Sequence, residues 1–154
     1  MNTILIVLPC VALQVVSSVF IAYGFARFNF RGKRIWFLIL LATMMIPGEL
    51  FTITNYQTVY YMGWMDSFTV LIVPFLVSVF YIYLLRQNFL QIPNELYLAA
   101  KVDGTTDLKY LWKVMIPLSL PNLISITILK MMGAWNSYVW PRLVANDKQY
   151  QLIT

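Results

Sequence analysis

Residues 3–25 contain no aspartate, glutamate, lysine or arginine, and that run constrains the chain more than any other feature. About 20 apolar helical residues are needed to cross a bilayer's hydrocarbon core. Within that core every backbone N–H and C=O must be satisfied internally, which a helix does inside one segment. Three more apolar segments follow, over residues 35–53, 68–85 and 120–140. The chain is 60% hydrophobic and 11% charged, against about 45–50% and about 25% in soluble domains. So few charges cannot cover a soluble surface. The expected fold is all-α, a polytopic transmembrane helix bundle with four spans.

The loops between these segments differ in sign. Residues 26–34, ARFNFRGKR, hold Arg27, Arg31, Lys33 and Arg34 and no acid. Residues 55–67, NYQTVYYMGWMDS, hold Asp66 and no lysine or arginine. Loops rich in Lys and Arg stay on the cytoplasmic side. That assignment puts Arg27, Arg31, Lys33, Arg34, Arg86, Lys101, Lys109 and Lys113 inside, with Arg142 and Lys148 outside and Lys130 within a span: eight against two. The start of the chain then faces outward, and residues 86–119 form a cytoplasmic loop. Tyr56, Tyr60, Tyr61 and Trp64 suit an aromatic belt against membrane lipid. Gln14, Ser17 and Ser18 are expected to face other helices, where small and polar side chains allow close packing. The net charge of +5 is spread over short loops, the pattern of a membrane protein and not of a nucleic-acid binder.

Several chemistries are excluded by composition. Cys10 is the only cysteine and there is no histidine. An internal disulfide, a Cys/His zinc or haem site, and Ser-His-Asp or Cys-His catalysis are ruled out. Gly32-Lys33-Arg34 lacks the earlier glycine and the Ser/Thr of a phosphate-binding loop, so the chain is expected to bind no nucleotide and no other cofactor. Glu49, Asp66 and Lys130 are too scattered to form a nucleophile and its base, which disfavours a membrane-embedded enzyme. At the beginning there is neither a basic region nor a small-residue cleavage site, and the chain stops in polar sequence at Thr154; a partial chain is expected.

The loop over residues 86–119 is the longest stretch that lipid cannot hold. Pro93 suits a first helical turn, and Glu95 in that turn complements the helix dipole. Leu96, Ala99, Ala100 and Val102 continue a short helix. Asp103-Gly104 ends it, glycine being the usual residue at the left-handed C-terminal position. Thr105 or Thr106 can cap a second helix with Asp107 in its first turn. Leu108, Leu111, Trp112 and Met115 make that second helix amphipathic, and Pro117 and Pro121 are expected to end it. Such a pair of helices can dock into another protein or lie on the lipid headgroups; physics alone leaves both open.

Ala99-Ala100, Asp103-Gly104 and, nine residues on, Val114-Met115-Ile116-Pro117 resemble the EAA loop of bacterial ABC importer permeases. The wider frame is similar to the carbohydrate-uptake branch, that of the maltose and glycerol-3-phosphate permeases. AYGFAR at residues 22–27, Met45-Ile46-Pro47-Gly48, Leu85-Arg86-Gln87 with Ile92-Pro93 and Glu95-Leu96, Trp135-Asn136 and Trp140-Pro141 all fall in the same order. One position departs: Leu98 stands where the family has the leading acid. Glu95, three residues earlier on a neighbouring part of the helix face, is expected to supply part of that charge.

The resemblance implies an ABC importer type I permease fold of six spans, one missing at each end here. It implies a permease subunit in the bacterial inner membrane, paired with a second permease subunit, an ABC ATPase that binds and hydrolyses the ATP, and an extracytoplasmic solute-binding protein. Glu95, Ala99, Ala100, Asp103, Gly104 and Pro117 would form the ATPase-coupling loop, 93–117. Transport of a sugar or related solute would proceed by alternating access. Lys130, mid-span where a charge costs on the order of 2.5–3.5 kcal/mol, faces either a translocation path or a structural partner. Trp135 and Asn136 can line that path, although interfacial anchoring explains Trp135 as well. Arg142, Asn146, Asp147 and Lys148 occupy the place of a binding-protein contact. The alternative is a channel or receptor subunit without ATP coupling.

Overall fold

A computed structural model describes residues 2–145, and every described element is helical. The axis of the bundle is α1 (Asn2–Arg27), about 39 Å long at 1.5 Å per residue. It is the one helix among the described residues that is long and apolar enough alone to cross a membrane. Three bent pairs reach that standard together, so up to four spans fit by length and composition.

Each bend has a residue-level cause. Helix α2 (Lys33–Thr43) stops before Pro47 and resumes as a 3₁₀ turn, Gly48–Phe51, and α3 (Thr52–Tyr61), turned by 80°. Pro47 has no N–H to donate, and its ring disfavours helical backbone at Ile46. The apolar segment expected as one span over 35–53 is therefore broken. Part of the expected loop 55–67 is helix as far as Tyr61, because its residues are free of Gly and Pro until Gly63. Helix α4 (Phe68–Ile72) runs into a 3₁₀ turn over Val73–Phe75 containing Pro74, then α5 (Val79–Gln91) after a 41° bend.

The loop after α5 contains α6 (Asn94–Val102) and a composite helix: α7 (Asp107–Tyr110), a π-turn (Leu111–Met115) and α8 (Ile116–Leu118). The expectation that Pro117 ends this helix is corrected, since Pro117 lies inside it. Proline removes the hydrogen bond back to residue 113, and the ladder widens just before it, with the Ile116 N–H donating to Leu111 O. The turn comes at Ser119, where α9 (Leu120–Trp135) departs at 79° with Pro121 in its first turn. The last described helix is α10 (Val139–Val144).

Two apolar clusters lie along α1. At its C-terminal half, Val19, Ala22, Tyr23 and Ala26 pack with Ile82, Leu85 and Phe89 of α5, Tyr110, Leu111 and Met115 of the loop, and Ile126 of α9. Near its start, Ile6 packs with Val59, Val70, Leu71, Val144 and Ala145. Gln14 and Ser18 are buried, as expected for polar residues turned toward other helices. Helices α1 and α5 also cap each other. The guanidinium of Arg86 donates through Nε to Phe25 O at 3.2 Å, and Lys33 Nζ to Ala26 O at 3.3 Å, near the end of α1. Arg27 Nη2 returns the favour to Ile92 O at 3.0 Å and Phe89 O at 3.4 Å, at the end of α5. Cations at helix C-termini satisfy the orphan carbonyls and complement the dipole.

Candidate coupling site

The elbow between α6 and α7 is built from local rules. Thr105 N–H donates to Ala100 O at 2.8 Å and Gly104 N–H to Lys101 O at 3.0 Å, the paired bonds of a Schellman C-cap. Gly104 takes φ +69° there, a left-handed conformation that costs glycine no steric penalty. Thr106 then caps α7, its side chain accepting from the Lys109 N–H at 3.4 Å. Two short helices thus meet at a fixed angle without a flexible linker.

The inner side of the elbow is tied to α1 through Asp107. Its Oδ1 accepts from Tyr97 Oη at 2.8 Å and pairs with Lys101 Nζ at 3.0 Å. The Tyr23 hydroxyl, from α1, donates to Asp107 O at 3.1 Å and reaches Oδ1 at 3.4 Å. Lys101 and then Tyr97 hold the Asp107 carboxyl below the usual carboxylate range, and the same bond raises the Lys101 ammonium. Burial, and then the Asp107 bond, raises the Tyr97 phenol, which stays a donor. Beside this, Arg27 Nη1 donates to Asn94 Oδ1 at 3.2 Å, and its guanidinium lies 5.7 and 6.0 Å from the Tyr97 and Tyr110 rings. Those rings meet edge to face at 5.1 Å.

The outer side is bare. Leu98 is 56% and Val102 87% exposed, one turn apart on α6. Glu95, Ala99, Asp103 and Gly104 are exposed with them, and Ala100 is half-buried against the core. Leu108 and Trp112 continue an exposed apolar edge on the next helix. Glu95, Ala99, Ala100, Asp103 and Gly104 are therefore brought together on one protrusion, while Pro117 lies further along the composite helix. An apolar turn with an acid at its head suits insertion into a partner's groove. Tyr23, Arg27, Tyr97 and Asp107 were not expected in this site. The one sequence signal was Tyr97, the single aromatic ring on α6.

The other expected positions do not converge. Lys130 faces α1 and stands over the Phe75 ring at 5.3 Å, lining a cavity of about 80 Å³ with Cys10 and Trp140. Trp135 and Asn136 line a different groove, with Met131 and Met132. Arg142 is exposed on α10, and Asn146, Asp147 and Lys148 lie outside the described residues.

Helices and bent helix pairs long and apolar enough to cross a membrane up to four times, with a two-helix elbow between two of them, define a polytopic membrane-protein bundle. Residues 14–154 match the family described as "Binding-protein-dependent transport system inner membrane component", and the chain belongs to that family. It is 32% identical over 148 residues to the arabinooligosaccharides transport system permease protein AraQ of Halalkalibacterium halodurans, covering 95% of this chain and 53% of that one. It is 31% identical over 134 residues to the sn-glycerol-3-phosphate transport system permease protein UgpE of Yersinia enterocolitica, covering 87% and 48%. Its fold matches a chain in the crystal structure of a bacterial ABC transporter involved in the import of the acidic polysaccharide alginate, with a TM-score of 0.89 at 30% identity over 97% of this chain and 52% of that chain. The chain spans about half the length of these relatives.

Proposed function

We propose that the chain is the coupling half of a permease subunit in an ATP-driven, binding-protein-dependent importer. It moves a sugar or related solute across the bacterial inner membrane by alternating access, together with a second permease subunit. Catalysis lies elsewhere: ATP is bound and hydrolysed by a separate ABC ATPase. The observation that carries this is the elbow at Gly104, stiff within itself, bonded to α1 on one side and bare on the other. A lever of that kind transmits a partner's movement to the spans, where a flexible loop would absorb it.

In this account α6 enters a cleft of the ATPase on the cytoplasmic side. Leu98 and Val102 supply apolar contact, Glu95 the acidic one, and Ala99, Ala100, Asp103 and Gly104 the close approach. Pro117 sets the shape of the helix leading back to α9. Trp135 and Asn136 line the solute path, and residues 142–148, including Arg142, Asn146, Asp147 and Lys148, meet the solute-binding protein outside.

Purification of the tagged permease should retain an ATPase subunit, and Gly104→Pro should abolish solute-stimulated hydrolysis. Uptake that persists without any ATPase partner would overturn the importer reading. Glu95→Gln should weaken coupled hydrolysis; full coupling in that variant would remove Glu95 from the contact.

A further inference from the structure

Lys130 is the only lysine or arginine that falls within one of the four apolar segments of the sequence, and nothing in the coupling elbow uses it. It is half-buried on α9. Its ammonium has three N–H donors, yet among the described residues it makes no hydrogen bond and no ion pair. What faces it is the Phe75 ring, 5.3 Å away. A ring face is a partial counterpart to a full charge. A charge held inside a bundle is costly unless it is paired and hydrogen-bonded.

The ammonium opens onto the cavity of about 80 Å³ whose walls come from the outer part of α1, the 3₁₀ turn at Phe75, α9 and α10. No carboxylate lines it. The polar side chains beside Lys130 are the Cys10 thiol and the Ser137 hydroxyl, both able to donate. The Trp140 Nε1–H is already taken by Val70 O at 3.1 Å. A cation with neutral donors around it, in otherwise apolar walls, repels cations and suits an anion. Size and valence narrow the class. A single water needs about 10–15 Å³ of such space, so this cavity accepts a small ion with a few waters and not a sugar ring. One lysine balances one negative charge, and a doubly charged oxyanion would be left partly uncompensated there.

From this we infer that the cavity at Lys130 binds a small monovalent inorganic anion, of the class of chloride. The inference stands on the geometry around Lys130 and does not rely on the permease reading above. Because the walls belong to four elements, an ion held there joins the outer part of α1 to α9 and α10 beside the break at Pro74. It supplies the negative charge that the described part of the chain does not place against Lys130, and so stabilises the packing of these outer ends.

The test takes the full permease assembled with its partner subunits and exchanges chloride for gluconate at constant ionic strength, gluconate being too large for the cavity. The wild-type melting temperature should fall by a few degrees in gluconate and recover on titration with chloride or bromide, as for a ligand that binds the folded state alone. Lys130→Met should melt alike in both salts. Crystals of the wild type grown in bromide give a second readout that needs no variant: an anomalous peak beside Lys130 Nζ. Should Lys130→Met fail to fold, that peak together with the wild-type anion dependence decides the matter. A wild type indifferent to the anion, a dependence that survives in Lys130→Met, or a carboxylate in the place of the bromide would overturn the inference. A bromide peak without any anion dependence would mark an adventitious ion only, and would overturn it too. None of these readouts measures uptake, so the permease reading stands or falls separately.

Discussion

Replacing Arg27 by methionine removes the one side chain that touches the end of α5, the start of α6 and the rings beneath the elbow, while keeping an apolar stem of similar reach. The bond to Ile92 O at 3.0 Å has good geometry, and hydrogen bonds from charged groups contribute about 1.5–3 kcal/mol. Those to Phe89 O at 3.4 Å and Asn94 Oδ1 at 3.2 Å are longer and weaker, and the two rings near 6 Å sit at the edge of the cation–π range. Water can reach part of the freed carbonyl surface, which offsets some of the loss. The net cost is about 2–3 kcal/mol, or roughly a 30- to 150-fold increase in local opening. Hydrogen exchange read by mass spectrometry on the permease in nanodiscs measures it directly, because amides over residues 96–102 report opening of α6 against α1. Arg27→Lys should recover about half the protection, since one ammonium cannot span both carbonyls and Asn94. Unchanged protection in Arg27→Met, within about three-fold, would refute the claim that Arg27 holds the elbow to the bundle.

Three further outcomes follow from the same region. A Cβ at Gly104 meets no atom within 4 Å, so Gly104→Ala should pay only the left-handed backbone cost, about 1–2 kcal/mol, and Gly104→Asn less; equal exchange protection in all three would contradict the Schellman account. Because the folded Asp107 carboxyl titrates below its unfolded value near 3.9, its contribution is present above that pH and lost as pH falls through the folded value. The raised Lys101 contributes below its ordinary value near 10.4 and is lost as pH rises through the folded one. The tie should therefore be flat across neutral pH and weaken on acidification. Asp107→Asn should remove that acid dependence with little effect on overall stability, as the pair is over a third exposed. Finally, Tyr110 is fully buried with its hydroxyl unpaired among the described residues, so Tyr110→Phe should leave the melting temperature in detergent unchanged or raise it. A clear fall would mean that the hydroxyl has a partner.

The architecture was legible because membrane folding is read from hydropathy: α1 lies over the run expected at 3–25, and the elbow at Asp103-Gly104 followed from glycine's backbone freedom. The failures are local and share a cause. A window of apolar residues does not report where a helix bends: Pro47-Gly48 marked the kink in the second segment, but nothing in the window marked the early end of α9 at Trp135. Pro117 was taken as a stop because proline lacks an N–H, yet one turn of π-helix accommodates that loss. Nor does periodicity along one helix identify contacts between helices. Asp107 read as an ordinary first-turn acid, and its partners Tyr23 and Tyr97 lie 84 and 10 residues away.

The basic residues show the deeper limit of reading one signal at a time. Arg27, Lys33 and Arg86 were counted as topology markers, each worth one vote for a cytoplasmic side. In the fold the same three are caps on the ends of α1 and α5, and two of them also bear on aromatic rings. The two roles are compatible, because helices that end at one face of the bilayer need donors for their final carbonyls at the level where positive charge is retained. They are not separable by charge reversal alone. Arg86→Glu would reverse the topological bias and also set a carboxylate beside the Phe25 carbonyl, so loss of function in that variant says nothing about orientation. Arg86→Gln removes the charge but keeps a donor. If topology alone matters, glutamine should behave as badly as leucine; if capping matters, it should restore much of the stability that leucine loses. The 3.2 Å bond to Phe25 O predicts the second result.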